Sequence, residues 1–227
     1  MTARTREQII LAAERLFADR GIEAPSLREI AQAAGQGNTN AVQYHFQTKD
    51  QLVYAIFEYR VTQMERPREE MLRQAEAENC LSDARTLLEI LCLPYLTLID
   101  EDGRHSYAAF LSEYLTRHRP IGVRHPADDD TALTTTLRRL LDLLVQRISY
   151  LPPEIALSRI ALSNLMFLNM LVRHDTERLS GAEKLPLPDL VRDTLDIMAL
   201  SLTAQTSPGT LRWRGRDGQI ERVPSGA

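Results

Sequence analysis

The chain has 227 residues with 44% hydrophobic and 26% charged side chains, enough for one or two compact units with a real core and against wholesale disorder. Its net charge of −4 is uneven, with 8 basic against 8 acidic residues over 1–66 and 15 against 21 over 67–209, so composition neither proposes nor excludes a nucleic-acid partner. The two cysteines, Cys80 and Cys92, exclude a disulfide framework and a cysteine metal finger, and make a reducing cytosol the expected setting.

The first twenty residues interleave Arg4, Arg6, Glu7, Glu14 and Arg15 with apolar positions and lack the apolar core of a signal peptide. The apolar stretches 87–99 and 161–172 are shorter than the roughly 20 residues that span a bilayer, so the chain reads as soluble and intracellular, with no membrane partner.

Periodicity is helical almost throughout, which predicts an all-α fold. A first helix covers 5–20, with Ile9, Ile10, Ala13, Leu16 and Phe17 on one face and Gly21 as its stop. A second opens at the capping box Ser26-Leu27-Arg28-Glu29, turns Leu27, Ile30, Ala31 and Ala34 inward and stops at Gly35. A loop holding Gly37 leads to a short third helix at 39–46 with Val42 and Phe46 inward. The box Thr48-Lys49-Asp50-Gln51 then opens a fourth helix through about 66, broken at Pro67.

Further helices are expected at 81–99, kinked at Pro94, and at 106–118. A loop follows over 120–130, then helices at 130–149, 153–179 and 189–204. The last two are apolar on more than one side, as suits either a central core helix or a dimer interface. Residues 207–227, with four glycines, two prolines and four arginines, read as a disordered tail or as a hairpin closed at Asp217-Gly218.

Two amphipathic helices joined by a short Gly-containing turn form a helix-turn-helix, whose second member enters the major groove. The outer side of that member offers Thr39, Asn40, Gln43 and Tyr44, with Asn38 at its entry and Gln36 and Gly37 in the turn. Asparagine and glutamine pair with adenine, and threonine meets the thymine methyl. Arg28 and Lys49 place cations beside helix starts that present backbone N–H groups to phosphate, and Arg4 and Arg6 form a possible arm. Each of these is equally readable as a solvated charge or cap, and His45 reads as structural. No metal-binding spacing, P-loop, nucleophile elbow or catalytic carboxylate pair stands out, so no enzyme and no cofactor is expected.

Ile9-Ile10, Ala12-Ala13, Leu16-Phe17, Gly21, Ser26, Ile30-Ala31, Ala34-Gly35, Val42, His45-Phe46, Thr48-Lys49-Asp50 and Leu52 together resemble the DNA-binding domain of the TetR (tetracycline repressor) family, over about residues 5–60. The turn 35–41 is about one residue longer than the family pattern. Gln43, with Tyr44 beside it, stands where the family usually holds a phosphate-contacting tyrosine.

The resemblance implies a three-helix DNA-binding domain at 1–60, a helical effector-binding and dimerisation domain at 61–206, and a tail at 207–227. It implies a cytoplasmic homodimer, joined through the helices near 153–179 and 189–204, that represses from a palindromic operator and is released by a small, largely apolar effector. Cys92, Tyr95, Tyr107, Tyr114, Phe167 and Asn169 are candidate linings of the effector pocket, though plain core explains most of them equally. A DNA-binding or protein-interaction factor of the same fold without an effector is the alternative.

Overall fold

The structure is a computed structural model and describes residues 3–36, 40–129, 131–182, 184–205, 211–214 and 219–222. The first three helices are α1 (Ala3–Arg20), α2 (Leu27–Ala33) and α3 (Asn40–Phe46). Ile9, Ile10, Ala13 and Phe17 recur at helical spacing on α1 and are fully buried against Ile30 and Ala31 of α2 and Val42 and Phe46 of α3. Gly21 ends α1 at φ +78, where a side chain would be strained and its Cβ would sit 3.1 Å from Glu113 Oε1. Ser26 caps α2 reciprocally: its Oγ accepts from Glu29 N–H at 3.2 Å, and Glu29 Oε2 accepts from Ser26 N–H at 2.9 Å. The longer turn expected at 35–41 falls largely on residues 37–39, outside the described residues.

Thr48 caps α4 by accepting from Gln51 N–H at 3.2 Å. The expected end of this helix near 66 is corrected: α4 (Lys49–Ala77) runs for 29 residues, roughly 40 Å, straight through Pro67. Proline inside a helix forfeits a hydrogen bond and crowds the preceding turn, at a cost of about 3 kcal/mol. Here its ring faces solvent, while Met64, Arg68, Leu72 and Ala75 on the opposite side are buried. Burial of three apolar side chains plus the Arg68 stem, at about 1.5–3 kcal/mol for each large one, outweighs the local penalty. Residues 60 and 61 therefore lie within one continuous helix.

Next come α5 (Ala84–Cys92), capped by Asp83, and α6 (Ser106–Glu113). The expected kinked helix over 81–99 is shorter, because Pro94 has no N–H and converts residues Leu93–Thr97 to a 3-10 turn. The chain of α6 continues as a π-helical segment, Tyr114–His118, and a 3-10 turn, Arg119–Ile121. The expected loop contains a further turn at Pro126–Asp128. Then follow α7 (Thr135–Arg147), α8 (Pro153–Leu179) and α9 (Leu187–Thr203). In the tail, β1 (Leu211–Arg214) pairs antiparallel with β2 (Gln219–Arg222), Trp213 opposite Ile220. Asp217-Gly218, where a hairpin turn is one expectation, lies outside the described residues.

By length and composition α8 alone among the described helices is apolar enough to cross a membrane, which corrects the shorter run expected for it. It packs instead against α6 and α9, and its inward face includes Ser163, His174 and Asp175. An aromatic row ties head to body: Phe17 of α1 lies 6.0 Å from Phe110 of α6, and Phe57 of α4 lies 5.0 Å from Phe110 and 4.6 Å from Tyr114.

Candidate DNA-binding head and effector cavity

On α3 the buried Val42 and Phe46 hold the helix by one side, and the opposite side presents Gln43 and a 75% exposed Tyr44 to solvent. Arg28 on α2 is exposed as well. Two expected contacts are engaged locally instead. Gln36 Nε2 donates to Ala34 O at 3.1 Å, and Lys49 Nζ donates to Glu23 O at 2.6 Å, clasping the start of α4 to the α1–α2 loop. Gly37, Asn38 and Thr39 lie outside the described residues, as does the side chain of Asn40. His45 is partly buried, with Tyr44 and Phe46 rings 5.4 and 5.9 Å away, in keeping with a packing role.

The body holds a cavity of about 390 Å³ walled by α4, α5, α6, α7 and α8. Of the expected linings, Tyr95, Tyr107 and Tyr114 face it. Cys92, Phe167 and Asn169 do not. Cys92 sits one position round the helix from the lining residue Leu91 and is fully buried in the core. Phe167 is also fully buried, behind Tyr95 at 6.4 Å between ring centres. Asn169 is exposed on α8, where its Nδ2 donates to Ser112 Oγ at 3.0 Å and Leu165 O at 2.8 Å.

Sequence reasoning missed the polar lining: Arg68, Arg119, His125 and Asn164. Arg119 is spoken for, forming a two-pronged pair with Asp128 (Nη2 to Oδ1 2.5 Å) that holds the Asp128 carboxyl below its usual range. His125 Nδ1 accepts from Ala127 N–H at 3.0 Å, and burial, aided by the Arg119 charge, pushes its pKa down to about 4, so the ring is neutral at pH 7. Burial raises the Tyr95 and Tyr107 phenols, which stay protonated and able to donate.

Residues 9–56 match the family model described as bacterial regulatory proteins, tetR family. The chain carries the N-terminal domain of the tetR family. Over 73 residues it is 40% identical to the HTH-type transcriptional repressor BepR of Brucella suis biovar 1 (strain 1330), a stretch that is 32% of each protein, so the chain spans about a third of the length of the curated relative it matches. The whole fold is similar to that of a TetR family transcription regulator from Marinobacter aquaeolei VT8, at 15% identity over 87% of this chain and 95% of that one, TM-score 0.58. It is also similar to the fatty acid degradation regulator FadR from Bacillus halodurans, at 18% identity over 88% and 96%, TM-score 0.55. These two likenesses concern the fold and extend it beyond the head to the helical body.

The tetR-type head and the cavity share structural parts. Helix α4 begins in the head and supplies Val61, Met64 and Arg68 to the cavity. Helix α6 presents Tyr107 and Leu111 to the cavity and packs against α1. The junction is a buried polar node in which Arg60 Nε and Nη2 donate to Glu14 at 2.6 and 2.7 Å, and Ser106 Oγ donates to the same carboxylate at 2.8 Å. Burial opposes the Arg60 charge, but the Glu14 carboxylate outweighs it and raises the guanidinium further. This node links α1, α4 and α6.

Proposed function

We propose that the protein is a ligand-responsive transcriptional repressor that binds a palindromic operator as a homodimer. The observation that carries this reading is the direct continuity between a tetR-type head and a body cavity, through α4, α6 and the Glu14–Arg60–Ser106 node. The repressor sense is supported by the name of its 40% identical relative.

In this mechanism α3 docks in the major groove with Gln43 and Tyr44 outward, and Asn38, Thr39 and Asn40, the residues that lead into it in sequence, are further proposed DNA contacts. Arg28, Lys49, Gln36 and Gly37 are the proposed phosphate contacts, with Lys49 giving up or sharing its bond to Glu23. Dimerisation uses α8 and α9, whose outer faces leave Leu162 and Leu200 60% and 74% exposed, with Met166 and Ile197 alongside. An effector in the cavity favours one arrangement of α4 and α6, and hence one spacing of the two heads. DNA affinity then changes by the effector's differential affinity for the two states.

The test is selection of genomic fragments by the purified protein. Enrichment of an inverted repeat with half-sites roughly one helical turn apart is expected. Absence of any enriched sequence contradicts the regulator reading.

A further inference from the structure

Resting on the reading of the cavity as the effector site, we propose that the effector is a small amphipathic carboxylate, its head group paired with Arg68 and its apolar body filling the rest of the cavity.

Helix α4 carries two buried arginines, and they differ in what answers them. Arg60 is met by the Glu14 carboxylate on two nitrogens. Arg68, two turns on and 1% exposed, has no carboxylate partner among the described residues. Its Nη2 donates to Leu91 O at 3.1 Å and lies 3.5 Å from Met64 Sδ, while Nε and Nη1 have no hydrogen-bond partner there. An arginine side chain cannot discharge itself by losing a proton, so a buried guanidinium without an anion is a costly feature in the ligand-free protein. Its guanidinium sits 5.7 Å from the centre of the Tyr95 ring, and Arg68, Tyr95 and Tyr107 all line the cavity.

The remaining surroundings narrow the ligand. Asn164 Oδ1, also on the cavity wall, is buried and unpartnered, an acceptor for a ligand hydroxyl or amide. Met64, Leu111, Leu137 and Ile160 supply apolar wall for a hydrocarbon or aromatic body. Arg119, the other arginine lining the cavity, is already neutralised by Asp128, and His125 is uncharged. One free cation among the described residues of the cavity suits a monoanion better than a phosphate dianion, and the planar guanidinium matches a carboxylate. At about 390 Å³ the cavity falls at the small end of ligand sites, which run roughly 300–1,000 Å³.

The experiment is calorimetric titration of the full chain with octanoate and with 1-octanol, a pair differing in the charged head, at low and at 0.5 M (roughly a 4 Å screening length) sodium chloride. The wild type is expected to bind octanoate about ten- to a hundredfold more tightly than octanol, with the preference surviving high salt because the pair is buried. Arg68→Met is expected to erase the preference by weakening octanoate alone. It is also expected to raise the ligand-free Tm by a few degrees by removing an unanswered buried charge. Equal affinity for the two probes in the wild type, or a preference that persists in Arg68→Met, overturns the carboxylate assignment and leaves the effector cavity standing. Binding of neither probe overturns both. The wild-type comparison decides the matter even where Arg68→Met does not fold.

Discussion

At the scale of single residues, the cavity wall owes its character to side chains whose charge state is set by burial. His125 stays neutral because desolvation and the neighbouring Arg119 hold its pKa near about 4, against 6.5 for a free ring. The unfolded chain takes up a proton at about pH 6.5, the folded chain only near 4. The stability His125 contributes is therefore fully present above pH 6.5 and is lost as pH falls towards 4. In chemical denaturation across this window, His125→Asn is expected to lose less stability than the wild type, by roughly 2–3 kcal/mol at pH 4.5. An unchanged slope means that the ring is already protonated in the native protein. The residues proposed to face DNA divide differently. Gln43, Tyr44 and Arg28 are exposed to solvent, whereas Lys49 and Gln36 hold local bonds that the proposed DNA contact would share or displace.

At the scale of elements, α1, α2, α3 and α8 were legible in the sequence because their signals are local: Ser26 with Glu29, Gly21 at positive φ, Pro152-Pro153 before an apolar run. The two misread helix ends both lie at prolines, Pro67 read as a stop and Pro94 as a kink. Pro94 does end regular helix, but Pro67 does not, because the packing of Met64, Leu72 and Ala75 on the far side is invisible to a local rule. That error hid Arg68, which belongs to a buried helical face and was placed beyond a break. Helical spacing from Met64, four positions earlier, is the signal that would have found it. The pairing of Trp213 with Ile220 is legible in the apolar residues that flank Asp217-Gly218. Since Pro67 is exposed and forfeits a backbone bond, Pro67→Ala is expected to stabilise the protein by about 1–3 kcal/mol, read as a Tm several degrees higher. A lower Tm means that the body is packed around a bend that only proline supplies.

At the scale of the whole molecule, the outer faces of α8 and α9 expose Leu162, Met166, Ile197 and Leu200, the surface on which the proposed dimer rests. The double variant Leu162→Glu/Leu200→Glu is expected to convert a dimer to a folded monomer in light scattering, and to lose specific DNA affinity with it. A variant that stays dimeric places the interface elsewhere. The central claim, that α3 reads DNA from a head continuous with the cavity, is tested most directly by titrating the purified protein against its own upstream region at two salt concentrations, alongside Gln43→Ala and Lys49→Ala. Specific binding that weakens steeply with salt is expected, with Gln43→Ala relaxing sequence preference and Lys49→Ala lowering affinity on all sequences and reducing the salt slope by about one. Binding that is indifferent to sequence, or untouched by Gln43→Ala, contradicts the account.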